Sequence, residues 1–164
     1  MQLMLIVAVA MLTSAVSQAQ SGPADGPAGF VLWETARLEA AADRLERELG
    51  DQEIVWETMG SYEGHSMYLV LRGKTPMAEL HETESDVHLI MRGEATYVMG
   101  GELVDKELLA RKQQRGTSIR GGTSRPVAPG DIIFVAPNVA HHQIIVPGES
   151  YLYILIKFDE EPDE

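Results

Sequence analysis

No cysteine occurs in the chain, which excludes disulfides, thiolate metal sites and a lipid-modified N-terminal cysteine. Basic residues are scarce: 13 Lys and Arg stand against 25 Asp and Glu, a net charge of −12. Phosphate binding needs a basic face, so no nucleic-acid partner is expected, and anionic membrane surfaces are disfavoured. Part of the acidic excess is local, because Asp159, Glu160, Glu161, Asp163 and Glu164 make 159–164 an acidic, solvated tail. Long apolar runs are missing as well. The unbroken stretch Leu3 to Leu12 falls short of the roughly 20 residues a spanning helix needs but suits the hydrophobic part of a secretory signal. Small residues at Ser17 and Ala19 place the cut near Ala19, although Met1-Gln2 carries no Lys or Arg. Residues 1–19 are therefore expected to be removed on export, leaving a secreted or periplasmic protein with no membrane attachment. Phosphate loops, nucleophile elbows and dinucleotide fingerprints are absent, and so are internal repeats.

What is present is one domain's worth of chain, 164 residues, enough to bury a core without staples. Residues 20–30 are small and Pro/Gly-rich and read as a flexible linker, followed by a single domain over 31–158. An amphipathic helix is expected over 35–49, with Leu38, Ala41, Ala42, Leu45 and Leu49 on one face, Thr35 as cap and Gly50 as stop. From residue 54 onward the period becomes two. Short runs rich in β-branched and aromatic residues occur at 54–59, 65–72, 86–91, 95–99, 117–120, 125–127, 132–135, 142–146 and 151–158, separated by glycines and turn signals. Many short strands indicate an antiparallel sandwich or barrel. The polar stretch 102–114 interrupts the rhythm and reads as a loop excursion holding one or two helical turns.

The stretch from Gly73 to Gly93 carries the chemistry. Glu79 and His81 are two apart, as are Asp86 and His88, so each pair shares a strand face. Burying such groups is costly unless they are paired or bound to a metal. His141-His142 follow the turn at Gly130, and alternation sends only one of the two inward. His65 and His142 read as ordinary core or surface histidines, and Glu82 and Glu84 as solvated loop carboxylates. Tyr151, Tyr153, Leu155 and Lys157 share one face, which would bring phenols and an amine into a cavity if it points inward. Tyr97 lies on a strand whose facing is open, and Arg120 beside Gly121-Gly122 reads as a turn.

Spacing makes the resemblance specific. Gly73, five residues, Glu79, one residue, His81, four residues, Asp86, six residues, Gly93 resembles the first motif of the cupin superfamily, which has His-x-His and glutamate at the three polar positions. Gly130, then Ala136-Pro137-Asn138, then His141 resembles the second motif, which has Pro-x-Gly before its histidine. Glu79 thus stands where the family has its first histidine, Asp86 where it has glutamate, and Asn138 where it has glycine. Asparagine tolerates the left-handed conformation that glycine would adopt there.

The resemblance implies an all-β cupin jelly-roll barrel of the RmlC-like type with one N-terminal helix, often a homodimer. It also implies one divalent transition metal per chain (iron, manganese, zinc, nickel, cobalt or copper) held by His81, Asp86, His141 and Glu79. His88 is either a further ligand in place of Asp86 or Glu79, a group behind the ligands, a general base, or a core histidine. Where Glu79 or His88 does not hold the metal it is a candidate acid or base. The expected function is a metal-dependent oxygenase, oxidase, lyase or isomerase acting on a small polar molecule. A non-catalytic metal- or ligand-binding barrel is the alternative, and a copper-dependent oxidative enzyme acting on extracellular polysaccharide is a further one.

Overall fold

The structure is a computed structural model that describes residues 30–110 and 112–161. The expected signal segment, nearly all of the linker and residues 162–164 of the acidic tail lie outside the described residues. Among the described residues one helix, α1 (Thr35–Leu49), precedes thirteen strands. Five of them form one antiparallel sheet in the order β1 (Ile54–Tyr62), β2 (His65–Arg72), β13 (Tyr151–Asp159), β4 (Glu84–Arg92), β11 (Ile132–Val135). Six form the facing sheet in the order β10 (Thr123–Val127), β5 (Ala95–Met99), β12 (His141–Ile145), β3 (Ala78–His81), β8 (Gln113–Gly116), β7 (Glu107–Ala110). A small ribbon joins β6 (Glu102–Val104) to β9 (Ser118–Arg120).

The pairing shows how the chain is wound. β2 pairs with β13, β3 with β12, β4 with β11 and β5 with β10, so the two arms of one long hairpin stay together from end to end. Rolling that hairpin over brings β13 against β4 and β12 against β5. An antiparallel hairpin rolled into two facing sheets is a jelly roll, as expected from the strand rhythm.

Alternation along the first sheet's strands gives two cores, one of them shared with the facing sheet. Val70, Ile90, Tyr97, Val135, Tyr151 and Tyr153 pack between the sheets. Their sequence neighbours Leu69, Leu71, Leu152 and Ile154 face the other way and are covered by Ala41, Ala42, Leu45 and Leu49 of α1. Sealing the fully buried Leu45 contributes about 2 kcal/mol. The helix has the expected bounds, but its start differs: Thr35 is its first residue, and Glu34 occupies the cap position without a side-chain bond. Contacts to the sheet fix the helix instead.

The polar stretch 102–114 is a second difference. Its described residues hold no helical turn but the strands β6, β7 and the start of β8, with short connections between them. β8 pairs with β3 from Ala78↔Gly116 to His81↔Gln113, and β7 extends the sheet beyond it. Pairing uses backbone groups, which polar side chains do not prevent at a sheet edge.

Candidate metal centre

Four strands deliver the polar groups. β3 supplies Glu79 and His81, and β12 supplies His141, directly opposite Glu79 in the ladder. From the facing sheet, β4 brings Asp86 and His88, and β13 places Lys157 opposite Asp86 and Leu155 opposite His88. Both motifs therefore meet between the sheets. The turn of the second is tied to the first: Asn138 adopts φ 62°, its backbone N–H donates to His81 O at 2.7 Å, and its amide donates to Glu82 O at 3.0 Å. Of the histidine pair, His141 turns inward, while His142 contacts Pro76 O at 2.9 Å on the other face. His65 lies at the surface, stacked between Tyr62 and Phe158.

The inward atoms converge. His81 Nε2 is 3.4 Å from Glu79 Oε2 and 3.3 Å from Asp86 Oδ2. His141 Nε2 is 3.8 Å from Glu79 Oε2 and 3.7 Å from Asp86 Oδ2. His88 Nε2 also faces Asp86 Oδ2, at 3.7 Å. Ligands about 2.1 Å from one ion, at tetrahedral or octahedral angles, stand roughly 3.0–3.5 Å apart. The observed separations are those of a ligand set, slightly expanded. Glu79, His81 and His141 form one group with ligating atoms mutually within 4.8 Å, and His81, Glu84 and Asp86 form another.

Tautomers test whether these residues suit a metal. Nδ1 of His141 donates to Val139 O at 3.1 Å, and burial lowers its pKa to about 4. The ring is therefore neutral near pH 7, with its lone pair on Nε2. That lone pair faces two carboxylate oxygens, and Nε2 is buried without a hydrogen-bond partner. Acceptors facing acceptors in a buried site call for a cation between them. The Nε2 atom of His88 is likewise buried and unpartnered, while its Nδ1 is 2.5 Å from the Tyr97 hydroxyl and 3.4 Å from the amide of Gln143. The donor set fits a divalent transition metal.

Neighbouring groups hold the ligands in place. His81 Nδ1 meets Gln113 Oε1 at 2.5 Å, and Gln113 in turn donates to Glu84 at 2.7 Å. The second oxygen of Glu79 lies 3.5 Å from Arg115 and 4.0 Å from Arg72. Burial alone would raise the pKa of Glu79, yet His81, Arg115, His141 and Arg72 bring it down to about 2. Asp86 is likewise held well below the carboxylate range, its burial outweighed by His81, His88 and Lys157. For His81 burial acts downward, but Asp86 and Glu79 prevail and raise it to about 9.

Several of these groups escaped the reading of the sequence. Glu84 is not a solvated loop carboxylate: it starts β4 and lies 3.0 Å from Lys157. Gln113 falls in the stretch read as a loop and Arg115 directly follows it, and nothing local marks them, since their role depends on pairing with β3. Lys157 and the two tyrosines do share the inward face. Arg120, by contrast, pairs at the surface with Glu102.

The strand order, with both motifs meeting between the sheets, gives this chain a jelly-roll fold of the cupin type. No protein-family model matches it, and no curated protein does. Among solved structures it is similar to KdgF from Halomonas sp. (13% identity, 66% of this chain and 82% of that one, TM-score 0.47). It is also similar to the DMSP lyase DddQ from Ruegeria pomeroyi DSS-3 (15% identity, 70% of this chain, 51% of that one, TM-score 0.48). A third is the cupin-2 domain protein Rru_A2000 from Rhodospirillum rubrum (13% identity, 68% of this chain, 63% of that one, TM-score 0.49). The chain thus spans about half of DddQ and most of KdgF. The fold assignment rests on the chain's own strand order.

Proposed function

We propose that this barrel is a metal-dependent enzyme acting on a small polar molecule, with one divalent transition metal per chain held by Glu79, His81, Asp86 and His141. The observation that carries this reading is the buried, unpartnered Nε2 of His141, a lone pair aimed at two carboxylates. When bound, the metal supplies Lewis-acid or redox chemistry at a position the protein leaves open. The residues of the chain do the rest. Gln113 orients His81, Val139 O orients His141, and the two arginines hold one oxygen of Glu79 so that the other faces inward. His88, steadied by Tyr97 and stacked on Tyr153, is placed to take or give a proton at Nε2. Export and pairing into a homodimer belong to the same proposal.

Elemental analysis of the purified protein tests it: about one equivalent of a transition metal is expected, and a protein that holds none and gains none on titration refutes it. Conversion of a bound small molecule marks an enzyme, whereas a ligand returned unchanged marks a binding barrel.

Metal uptake should also be linked to pH. His81, raised to about 9 in the metal-free protein, must lose its proton to coordinate, while His141 is already neutral. Binding at pH 7 is expected to release about one proton, and apparent affinity to climb about tenfold per pH unit up to pH about 9. Calorimetry in buffers of different ionisation enthalpy measures the proton count. Uptake without proton release would show that His81 is not a ligand.

A further inference from the structure

Lys157 enters the centre from β13, opposite Asp86. An ammonium carries three N–H groups, and two of them have carboxylate partners: Asp86 Oδ1 at 2.7 Å and Glu84 Oε2 at 3.0 Å. The remaining direction is towards His81 Nε2, 3.3 Å away. Once a metal holds the lone pair of that nitrogen, the third N–H is left without an acceptor there, beside the open side of the centre.

Exposure shows where that side is. His81, Asp86 and His141 are 2–4% exposed, whereas Glu79, Glu84 and Lys157 are 19–20%, with Arg72 at 14% and Arg115 at 23%. Solvent therefore reaches the centre past three cations in a chain whose net charge is −12. Those cations already offset Glu79, Glu84 and Asp86, so a dication would leave the mouth with excess positive charge.

We infer that Lys157 is a substrate-positioning residue that binds an oxygen of a small carboxylate next to the metal. This rests on the metal-centre reading proposed above. The same ammonium, close to His81 Nε2, opposes the metal electrostatically, so it favours the anion and disfavours the dication.

Cobalt(II) is the probe metal, since its visible bands respond to changes in coordination, and acetate is the probe anion. In Lys157→Met, loaded with cobalt(II), acetate affinity is expected to fall about tenfold or more. Cobalt(II) affinity, measured against a chelator, should rise by at least about threefold as a neighbouring positive charge is removed. Opposite signs are the signature, because a merely structural lysine would lower both affinities, and that result overturns the inference. Equal acetate affinity in the two loaded proteins overturns it too. On the unmodified protein, acetate should bind at least about tenfold more tightly than neutral acetamide. Equal binding of the two refutes the inference even if the variant fails to fold. A wild type that takes up no cobalt(II) refutes the metal-centre reading itself, before any acetate is added.

Discussion

Replacing His141 with alanine is expected to lower metal affinity by more than about 100-fold, since removing even an outer partner of a ligand costs about 10–100-fold. Of the two histidines of the centre with an unpartnered Nε2, His141 is the one that faces two carboxylates. Its pKa of about 4 leaves it uncharged, and its Nε2 makes no hydrogen bond. The fold consequently loses the packing of a buried ring and the Nδ1–H bond to Val139 O, together on the order of 1–3 kcal/mol. The expected result is a cooperative, folded, metal-free protein. His88→Ala should behave differently, retaining metal within about tenfold, because His88 approaches only Asp86 among the carboxylates of the centre. Competition with a chromophoric chelator gives both affinities, and thermal unfolding of the metal-free variants gives the stabilities. If His141→Ala bound metal as tightly as the wild type, the centre would have to be built on His88 instead.

Asp86 carries a heavier structural load than His141. Its two oxygens divide the work: one binds the Lys157 ammonium at 2.7 Å, and the other faces the Nε2 atoms of His81, His88 and His141. Its loss would leave a lysine short of a counter-ion as well as a metal site short of a ligand, and the two effects would be hard to separate. His141 is therefore the cleaner probe of the metal.

The parts of this arrangement that could be read from the sequence share a physical reason. Spacing of two within a strand puts Glu79 with His81 and Asp86 with His88, and the two pairs fall on strands, β3 and β4, that the rolled hairpin places in facing sheets. Tyr151, Tyr153 and Lys157 were legible as one face by the same alternation. The stretch 102–114 was not. Its strands are defined by their partners (β9 for β6, β8 for β7 and β3 for β8) and not by their own composition, so Gln113, and Arg115 just beyond it, could not be placed beside His81 and Glu79 in advance. Glu84 was hidden for a related reason: its position at the start of β4 becomes meaningful only once β13 brings Lys157 alongside. Local periodicity reveals which face a residue takes. It does not reveal which strand will lie next to it.

Gly93 closes the first motif, and Gly93→Ala is expected to destabilise the metal-free fold by about 3–5 kcal/mol. Two costs combine at this position. The backbone adopts φ +77°, where a side chain is strained, and an added Cβ would stand 2.2 Å from Ser150 O. The obstacle is backbone, so no rotamer change can relieve it. Gly100 isolates the first cost, since it has φ +72° with nothing within 4 Å of an added Cβ. Gly100→Ala should therefore lose only about 1 kcal/mol. Gly93 also follows directly on Arg92, which pairs with Leu152 next to the register shift between β4 and β13. Beyond that shift the ladder sets Leu155 against His88 and Lys157 against Asp86. Pushing Ser150 away would disturb the ladder that carries two of the centre's inward groups and the lysine beside them. Urea unfolding of the two variants compares the losses. Equal midpoints would mean that the chain can move Ser150 at little cost, and that the motif glycine is needed for its φ alone.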